Sequence, residues 1–162
     1  MLYLILALSL TFCSVPVTAQ SSFENVTIKA THVRGGVYML EGRGGNIGVS
    51  IGADGIMLID DQFAPLAEKI EQALAEIGGG ELRFVLNTHW HRDHTGGNEV
   101  FGESATIIAH ENVRKRLTTD QTSFGELIPA KPKQAWPVIT LKQSLSVHFN
   151  GEEIEAIHYP HG

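Results

Sequence analysis

Cysteine is almost missing from this 162-residue chain: Cys13 is the only one. It sits in a leader-like segment, so the chain beyond residue 19 carries no thiol. That excludes a disulfide framework, a cysteine nucleophile and a cysteine metal ligand in the readable part. Positive charge is also scarce, with 12 Lys and Arg against 18 Asp and Glu and a net charge of −6. No basic stripe appears, so a nucleic-acid partner has no electrostatic footing. The one local cluster of cations, Arg114-Lys115-Arg116, reads as a solvated helix face. Low-complexity tracts and internal repeats are absent. So is an apolar run of the roughly 20 residues that a membrane-spanning helix needs. What remains is the composition of one globular domain, 43% apolar and 19% charged.

The first residues, "MLYLILALSLTFCSVPVTAQ", differ from all that follows. Positions 2–12 are mostly apolar, and Val17-Thr18-Ala19 offers small residues for cleavage. Residues 1–19 therefore read as a secretory signal peptide, with residues 20–162 as the domain and a periplasmic or secreted location. No Lys or Arg precedes Lys29, which leaves a buried helix or an uncleaved anchor as the alternative. Phe12 is too bulky before Cys13 for a lipoprotein site. After cleavage no stable membrane association is expected.

From residue 23 the chain alternates and is rich in β-branched residues. It predicts strands with turns at Gly35-Gly36 and at Ala53-Asp54-Gly55. Residues 56–59 are continuously apolar, as in a strand buried on both faces. In "APLAEKIEQALAEIGGG", Leu66, Ile70, Leu74 and Ile77 share one helical face. Pro65 suits the first turn and three glycines end the helix. A second buried strand follows over 82–87. Strand, helix, strand is a βαβ unit, so 56–59 and 82–87 should be parallel neighbours. Ligand sites gather beyond the carboxyl ends of such strands, where Asp60-Asp61 and His89–His94 fall. "ATIIAH" reads as a strand and "ENVRKRL" as a helix. Residues 118–137 read as a loop, and "LSVHFNGEEIEAIH" as a hairpin turning at Asn150-Gly151.

The chemistry is concentrated in "THWHRDHTGG". Imidazole and carboxylate are the ligand types that zinc prefers. If the segment is extended, alternation points His89, His91 and Asp93 to one side, and His94 breaks the period. One tetrahedral ion cannot easily take four ligands from so short a stretch. Two can share it, His89 and His91 on one and Asp93 and His94 on the other, about 3.5–4 Å apart with a water between. Gly96 and Gly97 are expected to let the backbone turn sharply, and Thr95 to cap the helix that follows.

The motif resembles the His-x-His-x-Asp-His signature of the metallo-β-lactamase superfamily. The similarity extends to "GGNIGVSIGADGIMLIDD" before it and "HYPHG" at the end. It implies an α/β fold (α+β by some schemes), the αββα sandwich of that superfamily, of which only the N-terminal portion would be present. It implies two Zn2+ ions held by His89, His91, Asp93 and His94, among other ligands. A metal-bound hydroxide would attack a small-molecule carbonyl, whether β-lactam, ester, thioester or lactone. Asp93 would be catalytic, orienting the nucleophile and shuttling its proton.

Asp60 would support the metal loop from behind; capping the segment 61–65 is the alternative. His110, at a strand end, is a further supporting candidate, while His32 and His148 read as structural or exposed. The resemblance implies that another ligand of the first ion follows Gly162. His161, two positions early, is the weaker candidate, and the chain reads as the front of a larger open reading frame. Two other classes stay open. One is a metal-binding protein without turnover, or an inactive fragment; the other is an iron-dependent redox relative with the same ligands.

Overall fold

The computed structural model describes residues 21–123 and 125–160. The expected leader at 1–19, Cys13 and His161 lie outside the described residues. A short helix, α1 (Ser21–Glu24), opens the described chain. Four strands then form an antiparallel meander: β1 (Lys29–Arg34), β2 (Val37–Glu41), β3 (Ile47–Gly52) and β4 (Gly55–Ile59). A 3-10 turn over Ala64–Leu66 leads into α2 (Ala67–Glu76). Next come β5 (Leu82–Asn87), two single-turn helices α3 (Arg92–Thr95) and α4 (Asn98–Phe101), β6 (Thr106–His110) and α5 (Glu111–Leu117). The chain continues through β7 (Gln121–Ser123), β8 (Glu126–Ile128), β9 (Ile139–Leu141), β10 (Ser144–Phe149) and β11 (Glu152–Ile157).

Seven strands make one sheet in the order β1-β2-β3-β4-β5-β6-β9. The change from antiparallel to parallel falls at β4–β5, where the expected βαβ unit sits, with Ile59 opposite Leu86. A sheet covered on both faces needs apolar residues on both, which is why β4 reads as an unbroken apolar run. Ile56 and Leu58 point into the core with α2, whose Ile70 and Leu74 are fully or almost fully buried. Each such side chain contributes about 1.5–3 kcal/mol on burial. Met57 is buried as well, and alternation places it on the opposite face.

The opposite face is covered by the β10–β11 hairpin, whose Phe149 meets Phe84 of β5 edge-on at 5.5 Å. Leu145 pairs with Ala156 and Val147 with Ile154, as the alternation predicts. Its tip is fastened to the β3–β4 turn. The Asn150 N–H donates to Asp54 Oδ2 at 2.7 Å, and the Asp54 N–H donates to Asn150 Oδ1 at 2.9 Å. Asn150 Nδ2 also donates to Ser50 Oγ and to the Gly55 carbonyl. The expected loop over 118–137 is more ordered than its composition suggests. It holds the small β7–β8 hairpin and a 3-10 turn at Lys133–Ala135. Among the described residues no helix is long and apolar enough to cross a membrane.

Candidate metal centre

The ends of β4 and β5 lie side by side, and the loops leaving them are stitched together. The Asp60 N–H donates to the Leu86 carbonyl, while the Asp61 N–H and Asn87 Nδ2 both donate to the His94 carbonyl. Holding this crossing requires unusual backbone. Asp60 has φ 64° and Gln62 φ 54°, left-handed values that cost energy outside glycine and cluster at functional sites.

Two earlier expectations about the loop change. His89–His91 are extended or bent, but Asp93 falls in α3, so alternation does not carry through to it. Thr95 does not cap α4; its hydroxyl donates back to the Trp90 and His91 carbonyls. Gly97 stands at the cap position instead. The glycines are also needed for a different reason. Gly97 has φ −74° and Gly96, the residue after α3, φ −71°, ordinary values for any residue. A Cβ on Gly97 would lie 2.5 Å from the Asp61 carbonyl oxygen, and one on Gly96 2.7 Å from that of Gln62. Their role is close approach of two backbones.

Proton placement within the loop follows from its hydrogen bonds. Asp60 accepts from the Thr88 N–H and the Thr88 hydroxyl, both at 2.7 Å. With its hydrogen committed to Asp60, the Thr88 oxygen accepts from His89 Nδ1 at 3.0 Å. His94 Nδ1 donates to Asp60 Oδ2 at 2.7 Å. Both rings therefore carry a proton on Nδ1 and turn Nε2 outward, toward the other donors of the loop. Burial, and then the nearby His94 and His91, hold the His89 imidazole below its ordinary pKa, which keeps it neutral. Asp60 thus orients the loop through Thr88 and His94. The alternative of an Asp60 cap on the following turn is not what forms: Phe63 stands at that cap, with no side-chain bond.

The donors gather as two pairs. His89 Nε2 lies 3.1 Å from His91 Nδ1, and His94 Nε2 lies 3.3 Å from Asp93 Oδ2. Two ligands on one tetrahedral ion with 2.0–2.1 Å bonds are about 3.3 Å apart. Each pair therefore fits two corners of such a site, and the His89 and His94 rings are 4.0 Å apart. Among the described residues no three His, Cys, Asp or Glu donors close around one point. The donor chemistry fits zinc as two open half-sites.

Sequence reasoning missed the residues that wall the second pair. In the β2–β3 loop, a Cβ on Gly45 would lie 2.4 Å from His94 Cε1, and one on Gly44 2.7 Å from Asp93 Cβ. Gln62 is fully buried and ties this loop down, accepting from the Arg43 N–H and donating to the Gly45 carbonyl. The double glycine in "GRGGN" was the available signal. Asp61 is buried too, and burial raises its carboxyl well above the usual range. Its Oδ1 accepts from the Gly97 N–H, and Oδ2 has no partner among the described residues.

The loop opens on a crevice of about 970 Å3 between the sheet and the β10–β11 hairpin. Ile59, Leu86, Leu141 and Ile154 give it apolar walls, and His89 and His91 face it. His110 also lines it, but its bonds run elsewhere. Its Nδ1 accepts from the Asn112 N–H, capping α5, and its Nε2 donates to the Lys142 carbonyl. Its ring stacks on His158 at 3.8 Å. His32 turns to the Gly35 carbonyl, and His148 is exposed on β10.

Comparison with known proteins agrees with this architecture. A solved subclass B3 metallo-β-lactamase from a soil metagenome library is 27% identical, with a TM-score of 0.62 over 76% of this chain and 49% of that one. The subclass B3 enzyme of Bradyrhizobium japonicum is 21% identical, with a TM-score of 0.63 over 80% and 51%. A hydroxyacylglutathione hydrolase of Polaromonas sp. is 40% identical over 55 residues, 33% of this chain and 21% of that protein. The chain thus spans about half the length of the solved structures it matches. The family model of the metallo-β-lactamase superfamily matches residues 40–162, from β2 through the metal loop to the end, and the chain belongs to that superfamily.

Proposed function

We propose that this chain serves a zinc-dependent hydrolase acting on a small-molecule carbonyl compound, exported after removal of residues 1–19. The observation that carries the reading is the two donor pairs, His89 with His91 and Asp93 with His94, backed by one carboxylate. His89 and His91 hold the first ion at the crevice, and Asp93 and His94 hold the second. When bound, zinc acidifies a water to near neutral pH and polarises the carbonyl to be attacked. The rest belongs to the protein. Asp60 keeps His94 protonated on Nδ1, and keeps His89 so through Thr88, leaving each Nε2 free to bind. Asp93 is the catalytic residue: its carboxylate orients the attacking water and takes its proton on Oδ1, the oxygen not paired with His94 Nε2. The apolar walls of the crevice exclude bulk water from the acyl group.

Two substrate classes have support. The fold neighbours favour a β-lactam, and the 40% identical segment favours a thioester such as a hydroxyacylglutathione. Zinc stoichiometry, with turnover of a chromogenic β-lactam, a thioester and a lactone, tests the reading. Bound zinc that is lost in a His89→Ala/His91→Ala variant, with turnover of one class, is expected. Zinc without turnover of any class would leave a metal-binding protein instead. Amino-terminal sequencing of the exported protein should begin at Gln20; a protein retained in the cytoplasm with Met1 overturns the export reading.

A further inference from the structure

The cations of α5, which the proposed chemistry leaves unused, border a second opening. A pocket of about 380 Å3 is lined by Asn112, Lys115, Arg116, Thr119 and Gln121. It shares Asn112 and Arg116 with the crevice, so the two adjoin across these side chains. The lining holds two cations and no carboxylate, in a chain with 18 acidic residues. Five other cations pair with acids: Lys29 with Glu41, Arg34 with Glu152, Arg83 with Glu81, Lys131 with Glu99 and Lys142 with Glu111, while Lys69 and Arg114 donate to backbone carbonyls. Lys115 and Arg116 enter no ion pair among the described residues. Arg116 makes one long bond, 3.4 Å to Gln121 Oε1. Asp120, adjacent in sequence, turns its carboxylate to the Ala130 N–H. The Arg116 guanidinium lies 4.7 Å over the Trp90 ring, which is 5.1 Å from that of His91. A guanidinium held over an aromatic ring keeps N–H donors available for an oxyanion.

We infer that this pocket is an oxyanion subsite, receiving a carboxylate or phosphate at the far end of an acyl compound whose body lies in the crevice. The unpaired charges would concentrate anions here against the overall −6 charge, and a planar guanidinium beside an ammonium suits an oxyanion. Binding of the anion stands independently of the hydrolase reading; its place on a substrate rests on that reading.

The test is titration of the zinc-loaded protein, and of the protein after chelation, with inorganic phosphate and with succinate, read by the fluorescence of Trp90 and Trp136. A saturable change is expected in both forms. Binding should weaken at least tenfold in Arg116→Gln and in Lys115→Gln, and stay unchanged in Lys133→Gln. The stronger of the two anions identifies the group. Equal binding in wild type and Arg116→Gln, or no saturation by either anion, overturns the subsite. With a hydrolysed substrate in hand, Arg116→Gln should raise KM for an anionic ester about tenfold relative to its uncharged analogue. Equal KM changes for both esters overturn the substrate assignment. Absence of hydrolysis counts against the hydrolase reading alone.

Discussion

Single side chains decide how well the loop would hold the ions proposed for it. Asp60 is the clearest case, because its backbone is left-handed and Asn tolerates that conformation. Asp60→Asn therefore keeps the turn while removing the anionic acceptor for His94 Nδ1. Zinc affinity at the second position should fall about 10–100-fold, with the fold intact, in a competition titration against a chromophoric chelator. Unchanged affinity would mean that Asp60 merely braces the turn. Gly45→Ala is the complementary change. Its methyl would collide with the His94 ring, so bound zinc should drop from two ions to one by metal analysis. Retention of two would show that the β2–β3 loop yields. The cluster of donors was legible because His89, His91, Asp93 and His94 are neighbours in sequence. Gly45 and Gln62 were not, since their role depends on contacts between loops that are distant in sequence.

At the scale of elements, periodicity worked where it was long and failed where it was short. Helix α2 and the β10–β11 hairpin each carry enough turns or alternations to declare themselves, and β4 declares itself as an unbroken apolar run. The segment 89–94 is too short for that. Three residues of bent chain followed by one helical turn look the same, in sequence, as six residues of strand. Likewise Gly96 and Gly97 signal freedom, yet the structure uses their lack of a side chain against Asp61 and Gln62. The β3–β4 and β10–β11 turns were each readable, but not their contact. Asn150→Gly keeps the left-handed backbone (φ 55°) and removes the amide's three bonds. It should cost about 2–3 kcal/mol in urea denaturation, at roughly 1 kcal/mol per bond. A cost near zero would mean that Phe149 alone holds the hairpin.

Across the whole molecule, ligand binding and stability are linked. Zinc that binds only the folded chain should raise its unfolding free energy by about 4 kcal/mol at a thousandfold excess over Kd. His89→Ala/His91→Ala should lose part of that increment while unfolding like the zinc-free wild type. Calorimetry with and without a chelator measures both, and a zinc-independent Tm in wild type would contradict a structural contribution from the ions. The sandwich class was legible because the βαβ unit and the ligand loop occur in the right order. The adjoining pocket and crevice were not, since they depend on Trp90 of the loop meeting Arg116 and the Val113–Leu117 face of α5.

The fastening of Asn150 to Asp54 also bears on the order of events when the chain folds. The two turns are 96 residues apart, so joining them closes a long loop and gains nothing until the sheet between them stands. The hairpin should therefore dock after the folding barrier has been crossed. Asn150→Gly should refold at the wild-type rate and unfold roughly 30- to 150-fold faster in stopped-flow measurements. The wall of the crevice would then be the last part to arrive and the first to leave.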